Sequence, residues 1–298
     1  MNYIIHFQSR NNSRPVNPQL VKEYFQEQAG YTVNNFQSLY SNEDSGVFFT
    51  FEYGGRMSGG NTPGQNILPV FFNINYGKPH VFVLEAEPHL AEFIRHFDLQ
   101  VSDLSMRGSN YMDYNELDFY HGWNAGNEAY YREMLRSNNP KKLFTLPLRE
   151  MKNIWRWNFH VGELQSEIGQ QVFIPRVKFI EYRDVFSPAV IWTDGLPVAL
   201  PRVERVILYR RELTSGLRFG KKEDICVVNL SDIEPLLKDY PKSTENLEYY
   251  TIIHTEPPKE IKRFFQTQKA VKSDDIQFIN LGDVHDLELI EKIKSSNT

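Results

Sequence analysis

The sequence predicts an α+β fold. It comprises two closely packed α/β-mixed parts with largely antiparallel or mixed sheets, joined by helices around 116–168. Three observations carry this. Strand-like runs follow one another before residue 90. Helical periodicity dominates from Glu116 to Ile168. The tail from Ile225 alternates short apolar runs with short amphipathic ones. At 298 residues, 41% hydrophobic and 24% charged, the composition is that of a globular chain. That length suits two domains of about 100–200 residues each. Polar 137–142 and the periodic run after it place the boundary near residue 145, giving domains 1–145 and 146–298.

The N-terminal elements follow from period and punctuation. Asn2–Gln8 reads as a strand. Pro18 opens an amphipathic helix with Leu20, Val21, Tyr24 and Phe25 on one stripe and Gly30 as its stop. Strands at Tyr31–Tyr40 and Val47–Tyr53 flank the turn residues 42–46. A glycine-rich loop runs from Gly54 to Asn66. Strands at Val70–Tyr76 and His80–Ala86 are joined through Gly77–Pro79 as a hairpin. Pro88 then opens a helix over 89–97.

Two long helical patterns follow, Glu116–Arg136 and Leu148–Ile168. Strands are expected at 172–182, 189–193, 198–200 and 203–210, with Asp194-Gly195 as a type I′ hairpin turn. Beyond these come strands at 225–228, 249–254 and 276–279, and helices at 232–238, 258–266 and 284–293.

Composition narrows the function classes. A net charge of −5 gives no general electrostatic case for nucleic-acid binding. The single cysteine, Cys226, lies in an apolar run and reads as a buried, inert thiol. It excludes an intrachain disulfide and fits a reducing compartment. The N-terminal apolar run is too short for a signal peptide. No window approaches the roughly 20 apolar residues of a spanning helix. The expectation is a cytoplasmic protein without a membrane partner.

Candidate chemistry gathers between Pro69 and Leu135, where polar residues interrupt core-like segments. On the expected hairpin, Asn73 and Asn75 share a face with His80 as a neighbour, and Glu85 and Glu87 share a strand face before a helix. Two carboxylates so placed can serve as acid and base or bind a metal. The plainer reading is a strand terminus and a helix-dipole contact. On the 116–136 helix, a wheel at about 100° per residue puts Phe119, Tyr120, Trp123, Gly126, Asn127, Tyr130 and Met134 on one face. His121, Glu128 and Arg132 fall opposite. Asn127 then reads as a core amide bonded to backbone, or as a polar anchor beneath Trp123. Gly122 and Gly126 could admit another backbone.

Other signals are weaker. The 54–66 loop lacks the ending of a phosphate-binding loop and reads as a surface loop, with a lid or partner-binding role as its functional form. His160, Glu163 and Glu167 share a helix face but lack a second ligand pair. His254 and Glu256 form no set, and Asp283, His285 and Asp286 resemble capping residues. Arg202–Lys222 is the one basic segment, with Arg202, Arg205, Arg210 and Arg211 as candidate contacts to an acidic partner or phosphate backbone. Its plainer reading is a charged strand edge.

The leading reading is a soluble cytosolic binding protein without catalytic activity: an inhibitor, immunity-type or adaptor protein acting through a protein–protein interface, with no cofactor and no metal. An acidic, aromatic-rich chain without a convergent catalytic set motivates it, since aromatics and arginines often carry interface energy. One alternative is a hydrolase-type or metal-assisted enzyme using the 70–87 hairpin. A second is nucleic-acid binding through 202–222.

Overall fold

The computed structural model describes residues 1–10, 16–54, 67–103, 110–137, 142–213, 223–243 and 247–296. The α+β class holds. The chain divides into two compact units, one formed by Met1–Leu148 with Gly282–Thr298 and the other by Arg149–Leu281. The second unit is therefore inserted into the first, a return that contiguous domains 1–145 and 146–298 do not contain. No helix among the described residues is long and apolar enough to cross a membrane.

The first unit begins with β1 (Asn2–Ser9), whose Tyr3, Ile5 and Phe7 are buried in alternation. Helix α1 (Pro18–Gln26) is capped by Asn17, whose side chain accepts from the Gln19 N–H at 2.9 Å. The expected strand 31–40 is two strands, β2 (Tyr31–Val33) and β3 (Gln37–Asn42). The Asn34 side chain accepts the Phe36 and Gln37 N–H groups at 2.8 and 3.0 Å, folding the chain so that Tyr31 pairs with Tyr40. Strands β4 (Val47–Tyr53) and β5 (Ile67–Asn75) follow. Most of the glycine-rich loop, 55–66, lies outside the described residues.

The expected hairpin at 70–87 does not form. After β5 the chain enters one helix, α2 (Val81–Phe97), which contains Pro88. Val81, Phe82, Val83, Glu85 and Ala86 are all buried, so this helix start shows no polar face. A helix buried all round reads as a continuous apolar run, like a buried strand. Pro88 lacks only the N–H that would reach the Leu84 carbonyl. Strand β6 (Leu99–Asp103), helix α3 (Glu116–Arg136) and strand β7 (Phe144–Leu146) complete this stretch.

Six strands form an antiparallel sheet in the order β2-β3-β4-β5-β1-β6. One face is aromatic and covered by helices. Phe25 of α1 lies 4.5 Å from Phe51, Phe93 of α2 lies 4.7 Å from Phe51 and 5.1 Å from Phe7, and Phe119 of α3 lies 6.0 Å from Phe72, centroid to centroid. Aromatic pairs at such distances add about 0.5–1.5 kcal/mol each beyond area burial.

The inserted unit opens with α4 (Leu148–Phe159) and α5 (Val161–Ile168). The single helix expected over 148–168 breaks at His160, whose backbone leaves the helical region (φ −96°, ψ 12°). Then come β8 (Lys178–Tyr182), β9 (Val185–Thr193), β10 (Val198–Pro201), β11 (Arg205–Arg210), β12 (Asp224–Asn229), α6 (Leu230–Ile233), β13 (Lys242–Ser243), β14 (Tyr249–Ile252), α7 (Lys259–Thr267) and β15 (Ile276–Ile279). One sheet runs β12-β11-β9-β8-β15 with β9 and β11 parallel, and a second runs β10-β14-β13. Asp194 and Gly195 have the positive φ values of the predicted turn, 47° and 64°, and Leu196 N–H donates to the Thr193 carbonyl. The strands beside that turn nevertheless part into different sheets. The hairpin next to it turns at Arg183-Asp184, where both φ values are also positive.

The chain returns to the first unit as β16 (Val284–Asp286) and α8 (Leu287–Ser296), where one helix from 284 was expected. β16 pairs in parallel with β7, setting His285 opposite Thr145. The Tyr131 hydroxyl lies 2.6 Å from His285 Nδ1, and Lys292 reaches Glu128 at 3.0 Å. Burial holds His285 down at about 4, with the Asp283 charge opposing the shift and Lys78 assisting it. An unfolded histidine titrates near 6.5. The unfolded chain therefore takes up a proton that the folded chain refuses, and this contribution is full above about pH 6.5 and lost as pH falls toward 4. Urea titrations across that window should show stability rising with pH by roughly 3 kcal/mol from this group. His285→Gln should flatten part of the slope; His6 and His89, which burial also holds low, add to it, while Glu87 and Glu150, which burial raises, oppose it. An unchanged slope in the variant would exclude His285 as its source.

Candidate binding cleft

The residues singled out between 70 and 87 occupy separate neighbourhoods. Asn73 and Asn75 alternate with buried Phe72 and Ile74 and so face away from the helices. The Asn73 amide donates to Glu52 at 2.6 Å. His80 precedes α2, its Nδ1 3.1 Å from the Asn124 amide oxygen. Glu85 and Glu87, expected on one strand face, are instead two apart on a helix and point in different directions. Glu85 is buried, and its Oε1 accepts from Tyr40, Asn42 and Ser45 at 2.9, 2.8 and 2.9 Å. Glu87 accepts from the Tyr114 hydroxyl at 3.0 Å, and burial raises its pKa.

Trp123 and Asn127 belong to the interior of the first unit, at 0% and 1% exposure. Asn127, put forward with Trp123 as a binding residue, makes the backbone bonds of the first of its two readings, a core amide. Its Oδ1 accepts the Gly77 N–H at 2.7 Å and its Nδ2 donates to the Lys78 carbonyl at 3.1 Å. It thereby fixes the turn that launches α2.

The basic segment is largely spent on its own unit. Arg202 bridges Glu234 and Glu248, and Arg205 donates to Asn229. Arg210 is buried, bidentate to Asp224 at 2.5 and 2.8 Å, and donates to the Phe265 and Gln268 carbonyls at the end of α7. Arg211 lies 3.6 Å from Glu223. Residues 214–222, with Arg218, Lys221 and Lys222, lie outside the described residues. His160 meets Glu163 at 2.8 Å, and both line a polar groove of about 230 Å³ with Glu167 and Arg156. Among the described residues, no group of three or more His, Cys, Asp or Glu could hold a metal ion.

The first unit does contain a cleft that the sequence reading did not single out. It has a volume of about 240 Å³ and lies at the β1–β6 edge of the sheet. Residues 110–115 run alongside β6, with Val101 and Met112 exchanging both backbone hydrogen bonds at 2.9 Å. Asn115 then caps α3, its side chain accepting the Asp118 N–H at 3.1 Å. Ile5, Val101, Met112 and Phe119 supply apolar walls, while Asp103, Asp113 and Asp118 supply carboxylates.

The cleft's inner wall depends on Gly122, and the packing of α3 beyond it on Gly126. A Cβ at Gly122 would overlap the Tyr3 hydroxyl and the Asp103 carboxylate, and one at Gly126 would overlap the Tyr76 ring. The glycines read from sequence as points of backbone approach thus admit side chains. Tyr3 donates to Asp103 at 2.6 Å. Burial first, then that carboxylate, pushes the Tyr3 pKa far above its ordinary value, so the hydroxyl remains a donor. The signal in the sequence was the Gly122–Gly126 spacing; Asp103, Asp113 and Asp118 have no periodicity that marks them. Comparison with family models, with curated proteins and with solved structures finds no significant match.

Two substitutions probe this framework. In an open helix Gly→Ala stabilises by about 1 kcal/mol, but Gly122→Ala should destabilise by about 1–3 kcal/mol through overpacking, read as a lower urea midpoint. Glu85→Ala strands three donors and should destabilise by about 2–4 kcal/mol, with Glu85→Gln milder. A Gly122→Ala protein at least as stable as the parent would contradict the described packing.

Proposed function

We propose that this chain is a cytosolic protein-binding protein without catalytic activity, of the inhibitor, immunity or adaptor kind, and that it engages its partner through the cleft of the first unit. The supporting observation is an open apolar cleft with an exposed side chain at its wall. Met112 lines the cleft and is 56% exposed. Exposed apolar surface next to a preformed concavity is how interfaces usually present themselves. Met suits such a surface because its unbranched chain adapts to a partner's shape. The polar groups first considered for chemistry are instead occupied in structural bonds: Glu85 with three donors, Asn127 with a turn, and Arg210 with a helix end.

Selection of phage-displayed peptides on the immobilised protein tests this. The expected result is a set of peptides whose affinity falls at least about tenfold on Met112→Gln, a loss of about 1.4 kcal/mol. The position is exposed, so the fold should persist, as circular dichroism would check. If every selected peptide binds the variant as well as the parent, the cleft is not the interface.

A further inference from the structure

The cleft's chemistry specifies its occupant more narrowly, on the premise that it binds a protein partner. We infer that the cleft takes a basic side chain, arginine or lysine, from a segment of that partner, with the alkyl stem on the apolar floor and the cation at the acidic rim.

Four features support this. The first is charge. Asp103, Asp113 and Asp118 line the cleft. The positive end of the α3 dipole would otherwise favour an anion, but Glu116 and Asp118 already occupy its first turn. The second is the aromatic wall. Tyr3, Tyr114 and Phe119 line the same space, and of these the half-buried Tyr114 is the ring a cation could approach. The third is the floor. Ile5, Val101 and Met112 offer an apolar track of the kind along which the methylene stems of long basic side chains lie. The fourth is a precedent within the chain: the Arg10 guanidinium lies 2.8 Å from Asp113 of this rim, so a partner's cation would be met chiefly by the carboxylates of Asp103 and Asp118.

Size points the same way. At about 240 Å³, the cleft has room for one long side chain. The chain's net charge of −5 would also speed encounter with a basic partner.

The test uses the full chain and synthetic peptides Gly-Ser-Leu-Xaa-Leu-Ser-Gly, acetylated and amidated, with Xaa as Arg, Lys, Met or Glu. Binding is followed by amide chemical shifts of the cleft residues, with n-butylguanidinium chloride as a small-molecule arm. The Arg and Lys peptides should bind at least about tenfold tighter than the Met peptide, the Glu peptide should not bind, and added salt should weaken the basic peptides selectively. Asp103→Asn should weaken the Arg peptide about tenfold. Because Asp103 also holds Tyr3, the exposed Asp118→Asn serves as a second variant, expected to weaken the Arg peptide while leaving the Met peptide unchanged.

If the Met peptide equals the Arg peptide, the cation inference is overturned and the binding reading stands. If n-butylguanidinium fills the cleft while the Arg peptide is excluded, a protein source is overturned. If no synthetic peptide binds while phage-selected peptides do occupy the cleft, the cation inference alone falls. If nothing occupies the cleft in either experiment, both readings fall.

Discussion

The seating of α2 against the aromatic face of the six-stranded sheet is the constraint on which the first unit depends. Phe93 reaches both Phe7 and Phe51, so one side chain joins a strand near the middle of the sheet to one near its edge. Because the start of α2 is buried on all sides, its position cannot be adjusted without exposing apolar surface. Asn127 of α3 then holds the turn before α2, which fixes α3 beside it. The cleft is a consequence. It lies where α3 begins and the segment leading into it runs along β6, and its depth is set by how closely Gly122 lets the helix approach Tyr3 and Asp103.

Buried polar groups play a consistent part in both units. Glu85 gathers Tyr40, Asn42 and Ser45; Asn158 exchanges bonds with the Val177 backbone at 2.9 and 2.8 Å; Arg210 joins β12 to the end of α7. Such groups add little net stability over apolar replacements, yet they are costly when one partner is removed. Their effect is to make a shifted arrangement expensive. Asn127 shows this directly, since its two bonds go to consecutive residues and only one turn geometry satisfies both.

Much of this was legible in the sequence where the signal is local. The long periodicity of α3 and the core role of Asn127 follow from a wheel, although the buried stripe also takes in Gly122 and Tyr131. The Asp194-Gly195 turn follows from its residues. What escaped is what tertiary context decides. Val81–Ala86 has the composition of a strand, and only burial on every side makes it a helix. The Asp194 turn has the right dihedrals, but which strands pair depends on the sheets around it. The cleft escaped for a related reason. Its lining comes from β1, from β6 and from residues 110–119, segments brought together by topology and by no shared motif.

The insertion of one unit within the other bears on how the protein comes into being. β7 is synthesised well before β16, its parallel partner, and all of Arg149–Leu281 emerges between them. During translation the inner unit has its full sequence while the outer one still lacks a strand and a helix. The Tyr131 hydroxyl and the α3 surface that α8 will cover must wait for residues 284–296. Closure of the outer unit is thus a late, long-range event, with the large loop entropy that such contacts carry. A nascent chain arrested before residue 282 would hold all of Arg149–Leu281 while the first unit still lacked β16 and α8, leaving β7 and the Tyr131 hydroxyl without the partners they have in the folded structure.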